Sequence, residues 1–157
     1  MKWEILDENE TNFQLDEEIE LAKVAFIAAI KYQDIPFGGE VSLTFVGHDA
    51  MQEINNEHRK KNITTDVLSF PQYEKGELEC FGKNDFVALG DIVLNIEKAW
   101  EQAAEFGHGK RREIAFLVVH SALHLLGFDH ENEEKEREMF ALQEKILHKM
   151  GLTRGDL

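Results

Sequence analysis

Residues 114–126 read IAFLVVHSALHLL, and this stretch decides the fold. Apolar side chains occupy nearly every position, so a helix formed by these residues is apolar on all sides. The overlapping apolar stretch, residues 116–128, is interrupted by His120 and His124 and is too short to span a bilayer. The sequence therefore predicts a helix buried in the core, with the other elements packed around it.

The sequence on either side of this helix alternates between strand and helix patterns. From Leu15 an apolar residue recurs every three or four positions, which is typical of an amphipathic helix. Asp49 and Gln52 are spaced to cap a short helix reaching about His58. The other predicted elements are strands at 3–6, 41–45, 66–70 (buried, ended by Pro71) and 87–94, a hairpin loop at 72–86, a helix at 96–103 ended by Gly107, and a last helix at 139–150 ended by Gly151.

Chain length and element order together predict the fold class. The chain has 157 residues, which is enough for one domain with a sizeable core. The order β-α-β-α-β-β-α-α-α predicts a single α+β domain over residues 1–157, with a small mixed four-stranded sheet and about five helices. We expect the first β-α-β unit to be a right-handed crossover.

Composition excludes several classes of protein. Hydrophobic residues make up 43% and charged residues 31%, which is typical of a soluble globular protein. The stretch MKWEILDENE lacks the features of a secretory signal, and the single cysteine, Cys80, cannot form an internal disulfide, so we expect a cytoplasmic protein that does not bind membranes.

The net charge of −14 argues against nucleic-acid binding by the whole surface. The excess acid lies toward the two ends of the chain. Basic clusters at 59–61 and 110–112 therefore leave a local cationic site open.

Three of the seven histidines fall in the segment HSALHLLGFDH. His120 and His124 are four residues apart on a helix, so their rings project from one face. Gly127 can end the helix in a left-handed conformation and bring His130 back toward the pair. Satisfied core histidines are the plain alternative. However, two imidazoles on an apolar helix each need a partner, and a shared metal supplies one to both. The set is that of a catalytic zinc site with an open position.

The spacing H-x-x-x-H-x-x-G-x-x-H is also that of metzincin proteases, which carry a glutamate base directly after the first histidine. Ser121 occupies that position here and cannot act as the base, which disfavours a peptidase. We expect the other histidines, at 48, 58, 108 and 148, to lie on the surface, and Cys80 to have no role in the site.

Arg59 ends a predicted helix shortly before a predicted strand. Its planar guanidinium can bind a phosphate with two hydrogen bonds and stays charged at any working pH. The plain alternative is a solvated cation at the end of a helix. Thr65 and Asp66 are expected to make local turn or cap contacts. Asp91 interrupts an apolar strand, which indicates either a strand end or a specific hydrogen bond.

Three segments together resemble the bacterial YbeY family of metal-dependent rRNA-maturation endoribonucleases. They are HSALHLLGFDH, TTDVLSFP with Arg59 shortly before it, and LGDIVLN, and the resemblance covers the whole chain in order. It implies an α+β fold, zinc held by His120, His124 and His130, and cleavage of single-stranded RNA. It also implies a role in 16S rRNA 3′-end maturation and in quality control of the small ribosomal subunit.

The resemblance also assigns roles to residues. Arg59, His120 and His124 become the expected catalytic residues, with Arg59 holding an RNA phosphate near one Zn²⁺ per chain. Asp66 and Asp91 become candidates for the floor of the site. The expected partners are single-stranded rRNA precursor and the small ribosomal subunit with its assembly proteins, and no DNA is expected.

Two alternatives stay open on the sequence alone. The first is a non-catalytic ribosome-assembly factor with structural zinc. The second is a metal-dependent hydrolase of another substrate, such as a peptide.

Overall fold

Strands and helices alternate along the first part of the chain, and three helices follow in succession. The computed structural model describes residues 2–152. Its elements, in chain order, are β1 (Trp3–Asn9), α1 (Asp16–Tyr32), β2 (Gly38–Val46), α2 (His48–Arg59), β3 (Val67–Pro71), α3 (Lys75–Leu78), β4 (Phe86–Asn95), α4 (Ile96–Phe106), α5 (Lys110–Leu125) and α6 (Glu133–Lys149).

Helix α5 is the predicted buried helix. It packs against α1, α4 and α6 and against the sheet strands β3 and β4. Its side chains from Ile114 to Leu125 are buried except for Phe116, His120 and His124, which are partly exposed. A helix with almost no solvent-facing side explains why its sequence lacks amphipathic periodicity.

The four strands form one mixed sheet in the order β1-β2-β4-β3. β1, β2 and β4 run parallel, and β3 pairs antiparallel with β4. The predicted α+β class, mixed sheet and strand number are confirmed. β3 lies at one edge, so one side of its backbone has no strand partner within the described sheet.

The prediction of a buried strand at 66–70 was wrong about its burial, because this strand is the edge of the sheet. It begins at Val67, and of its residues only Leu68 is buried. Pro71 is its last residue, which an edge position tolerates because proline lacks an N–H to donate. Gly90 of β4, at φ +148°, lets β3 approach closely, since a Cβ there would lie 2.4 Å from the carbonyl oxygen of Phe70.

Three local predictions differ from the structure. The loop at 72–86 contains the extra helix α3, whose N-terminus is capped by reciprocal hydrogen bonds between Glu74 and Glu77. Helix α2 begins before Asp49, with Gly47 as its N-cap, because the Glu97 carboxylate accepts the His48 N–H at 3.1 Å. Helix α6 starts at Glu133 rather than Met139. The prediction missed its first turns because they are charged and show no apolar periodicity.

No helix among residues 2–152 is both long enough and apolar enough to cross a membrane.

Candidate metal centre

Helix α5 and the turn after it bring three imidazoles together. His120 and His124 lie one turn apart on the one partly exposed face of α5. The chain then reverses at Gly127, which has φ +99°. A Cβ at this position would lie 2.7 Å from Cβ of Lys75 in α3, so both the backbone angle and the packing require glycine. This turn places His130 opposite the pair, as the sequence predicted.

The ring nitrogens converge on one point. One ring nitrogen from each of His120, His124 and His130 lies within 4.8 Å of the other two. The Nε2 atoms of His120 and His124 are 3.0 Å apart. His120 and His124 are half-buried, and His130 is exposed.

A hydrogen bond from helix α6 orients the first ring. Nδ1 of His120 lies 3.1 Å from Oε1 of Gln143, a side chain that is 2% exposed. Because an amide oxygen only accepts, Nδ1 carries the proton and Nε2 is left with its lone pair toward the cluster. This is the outer-sphere contact that histidine metal ligands usually make. Sequence analysis missed Gln143, although a polar residue between the apolar positions Met139 and Ile146 was a signal.

Burial favours the neutral form of His120 and His124. It lowers the pKa of His120, against an opposing hydrogen bond to Gln143. It also lowers the pKa of His124 to about 4, with the neighbouring His120 and His130 contributing in the same direction. Neutral imidazole is the form that binds a metal ion.

The cluster fits a divalent metal ion. With Nδ1 of His120 protonated, its Nε2 lone pair faces Nε2 of His124 at 3.0 Å. Two lone pairs at this distance repel unless a proton or a cation lies between them. Three neutral imidazoles at one point are the donor set of zinc sites that keep one position open for water or substrate.

Arg59 shares a cleft with the three histidines. The cleft encloses about 640 Å³ and lies between the sheet edge β3 and helix α6. Helix α5, which carries His120 and His124, also lines it. Arg59 is the last residue of α2, is exposed, and lines this cleft. The structure thus brings Arg59 and the three histidines, the residues expected to bind phosphate and metal, into one cleft.

Asp66 also lines the cleft, and it is held in place from two sides. Its Oδ1 accepts the Val67 N–H at 2.7 Å, the local contact predicted from the sequence. Its Oδ2 accepts from Nε2 of Gln102 at 3.3 Å. The same Gln102 nitrogen donates to Glu113 at 2.9 Å, and His108 lies 2.6 Å from the other oxygen of Glu113.

Similarity to known proteins agrees with this geometry. The family model described as endoribonuclease YbeY matches residues 4–151. The chain belongs to the YbeY family. Two curated relatives named endoribonuclease YbeY come from Geobacillus thermodenitrificans and Geobacillus kaustophilus. They are 47% and 48% identical over 148 residues, which cover 93% of this chain and 95% of each relative.

A solved structure shares the fold. The solution structure of TM1509 from Thermotoga maritima is 25% identical and has a TM-score of 0.55. The match covers 95% of this chain and 91% of that one. The family expected from the three sequence segments is therefore confirmed.

The residue that follows the first histidine distinguishes this site from that of a metzincin protease. Ser121, which stands where metzincins have glutamate, is fully buried in α5 and does not line the cleft. The carboxylates that do line it among the described residues are Asp66 and Glu136.

Asp91, the second candidate for the floor of the site, lies elsewhere. It accepts a hydrogen bond from Ser42 at 2.5 Å. By strand alternation it shares a face with Val93, which packs toward α2, whereas Ile92 and Leu94 belong to the main core. Of the two predicted explanations for Asp91, a strand end or a specific hydrogen bond, the structure shows the hydrogen bond, which joins β4 to β2.

Two histidines predicted at the surface are partly buried. His108 contacts Glu113, and its side chain is only 12% exposed. His48 is hydrogen-bonded to Glu101, and its Nδ1 lies 3.1 Å from Nδ2 of Asn95. The sequence did not reveal these contacts. Glu113 is only five residues from His108 but is itself buried in α5, and the partners of His48 lie 53 and 47 residues away, in α4 and β4. His58 and His148 are exposed, as predicted.

Proposed function

We propose that this protein is a zinc-dependent endoribonuclease that hydrolyses phosphodiester bonds in single-stranded RNA. The observation that carries the proposal is the convergence of three imidazoles in a cleft that Arg59 also lines. The relatives' name, endoribonuclease YbeY, supports RNA as the substrate. We further propose that a single domain carries this activity in the cytoplasm. Its partners there would be the small ribosomal subunit and its assembly proteins, in 16S rRNA 3′-end maturation and subunit quality control.

The cleft residues divide the chemistry among them. His120, His124 and His130 would hold one Zn²⁺, which when bound polarises a phosphoryl oxygen and makes water a better nucleophile at neutral pH. Arg59 would bind a phosphate oxygen through its guanidinium and stabilise the charge that develops there. Asp66, fixed by Val67 N–H and Gln102, is placed to accept a proton.

The geometry favours catalytic over structural zinc. Structural sites usually have four protein ligands and are closed, whereas a catalytic site leaves one position open. The three histidines are the only such cluster of His, Cys, Asp and Glu found among residues 2–152, and the cleft leaves His130 exposed. A non-catalytic assembly factor would not need this open side.

The cleft also suits an unpaired strand. RNA-binding proteins recognise unpaired nucleotides by spreading their bases over protein surface, which a paired strand cannot do. A cleft of about 640 Å³ between β3 and α6 leaves room for unpaired nucleotides beside the histidines.

RNA cleavage and zinc content test the proposal together. The zinc-loaded protein is incubated with a single-stranded RNA, with the same RNA annealed to its complement, and with a fragment carrying the immature 3′ end of 16S rRNA. We expect cleavage of the single strand and of the rRNA fragment, little cleavage of the duplex, and none after zinc is stripped until it is restored.

His124→Ala is the matched variant. Elemental analysis should find about one zinc per chain in the wild type and much less in His124→Ala, which should also fail to cleave. Unchanged zinc content in the variant contradicts the ligand assignment. Zinc-loaded protein that leaves all three RNAs intact contradicts the proposed activity.

A further inference from the structure

An aromatic surface lies directly beside the three histidines. Phe116 is one helical turn before His120 on α5, and its ring stacks nearly parallel to the imidazole, with a centroid distance of 6.4 Å and an interplanar angle of 13°. Phe140 of α6 packs edge-on against Phe116, with centroids 6.5 Å apart. Both rings line the cleft, and we call this pair the aromatic platform.

The platform is exposed in a way that phosphate binding does not require. Phe140 is 43% exposed, although the neighbouring Met139 and Gln143, which line the same cleft, are buried. Phosphate binding needs donors and cations, and an exposed aromatic ring supplies neither. The position therefore points to a ligand with an apolar, flat part attached close to its phosphate.

The opposite wall of the cleft has a different character. β3 is the sheet edge, and its outward N–H and C=O groups have no strand partner within the described sheet. A group bound between the walls thus meets aromatic rings on one side and hydrogen-bonding backbone on the other. A nucleobase has this combination, because its faces stack on aromatic rings and its edges form hydrogen bonds.

We propose that the aromatic platform of Phe116 and Phe140 binds a nucleobase of the RNA strand by stacking, next to the phosphate held at the histidines. This inference rests on the proposed function and adds a base-binding subsite to it. Stacking tolerates every base because each has a π-face, so the subsite selects unpaired over paired nucleotides rather than one sequence. An apolar side chain of a bound peptide is the competing occupant.

Binding measurements on variants of Phe140 test the subsite. The zinc-loaded protein is titrated with a 2′-O-methyl single-stranded RNA, and a gel at the end of the titration checks that the RNA is intact. Removing one stacked ring typically weakens binding by about 5- to 150-fold, so Phe140→Leu should raise Kd within that range. Phe140→Trp should retain wild-type affinity. Phe86→Leu is the control, since Phe86 is also exposed, at 56%, but lies outside the cleft.

An abasic RNA series and fluorescence distinguish stacking from general loss of fold. Moving one abasic nucleotide along the RNA should reveal a position at which wild type and Phe140→Leu bind equally. Single-stranded RNA should quench the tryptophan fluorescence of Phe140→Trp more than that of the wild type, whose tryptophans are Trp3 and Trp100.

The results separate this inference from the proposed function. If the wild type cleaves RNA but Phe140→Leu binds it equally well, or loses the same affinity for every abasic RNA, the platform does not stack a base. The inference is also overturned if a peptide binds in the cleft and Phe140→Leu weakens peptide binding while RNA binding is unchanged. Wild-type protein that holds zinc but neither binds nor cleaves RNA contradicts the proposed function itself.

Discussion

Gln143→Leu separates the metal centre from the stability of the fold. The substitution keeps the volume of a buried side chain but removes the oxygen that accepts the Nδ1–H of His120 at 3.1 Å. Nε2 of Gln143 is buried without a hydrogen-bond partner, so the wild type already contains one unpaired polar atom there. Leucine removes that atom and leaves Nδ1–H of His120 unpaired instead. We therefore expect the unfolding free energy of the metal-stripped protein to change by less than about 1 kcal/mol.

Zinc affinity should respond much more strongly. Loss of an outer-sphere partner of a histidine ligand typically weakens metal binding by about 10- to 100-fold. At free zinc 100 times the wild-type Kd, binding adds about 2.7 kcal/mol to stability, and after such a loss only about 0.4–1.4 kcal/mol remains. The zinc-loaded variant should therefore melt about 3–9 °C below the zinc-loaded wild type.

Competition with a chromophoric zinc chelator gives the two affinities, and thermal unfolding with and without zinc gives the two stabilities. Gln143→Glu is the matched control, because its carboxylate keeps an acceptor for Nδ1–H and should retain tight binding. If Gln143→Leu binds zinc as tightly as the wild type, the bond to His120 does not position the ligand. If Gln143→Glu loses as much affinity as Gln143→Leu, the acceptor is not the cause.

Three further predictions concern the cleft and its titration. Arg59→Glu should lower RNA cleavage by more than the roughly 10²–10³-fold typical of losing one transition-state donor, with zinc content unchanged. Its control, Lys60→Glu, should mainly change the salt dependence of binding. Equal losses of cleavage in the two variants would make Arg59 an ordinary surface cation. Asp66→Asn should lower kcat more than Glu136→Gln, because Asp66 is held by Val67 N–H and Gln102 and Glu136 is exposed, and steady-state kinetics would show the reverse order if Glu136 accepts the proton. In the metal-stripped protein the unfolding free energy should be highest above pH 6.5 and fall as the pH drops toward 4. The reason is that burial lowers the pKa of His124 from 6.5 to about 4, so the unfolded chain binds more protons in this window. Urea titrations should show a smaller fall for His124→Gln, and equal falls would exclude His124 as the source.

The part of the site that could be predicted from sequence depends on local spacing. His120 and His124 are one helical turn apart, and Gly127 supplies the left-handed turn that returns His130. These relations need no knowledge of the remaining fold. The buried helix could be predicted for a similar reason, since apolar side chains on every face leave it no position except the core.

The parts that could not be predicted depend on contacts between distant segments. Gln143 meets His120 across the α5–α6 interface, 23 residues along the chain, and the Glu97 cap of α2 comes from 49 residues away. Asp91 could be in the site or on the other face of the sheet, and strand alternation decides this only once the core side of β4 is known. An isolated polar residue in an apolar pattern signals a partner without identifying it.

The strong acidity of the chain sets a further condition on how it would bind RNA. With a net charge of −14, the protein as a whole repels a polyanion. Among the described residues that line the cleft, Arg59 is the one lysine or arginine, and burial keeps His120 and His124 neutral. One phosphate contact changes the logarithm of single-strand affinity by only about −0.7 per tenfold rise in salt. Attraction to the side-chain cations of the cleft is therefore too small to account for binding, and in the proposed complex most of the affinity would come from the bound metal ion and from stacking at Phe116 and Phe140. A duplex can offer its phosphates to the metal but not its base faces to these rings, so the same division explains why an acidic protein would act on unpaired RNA.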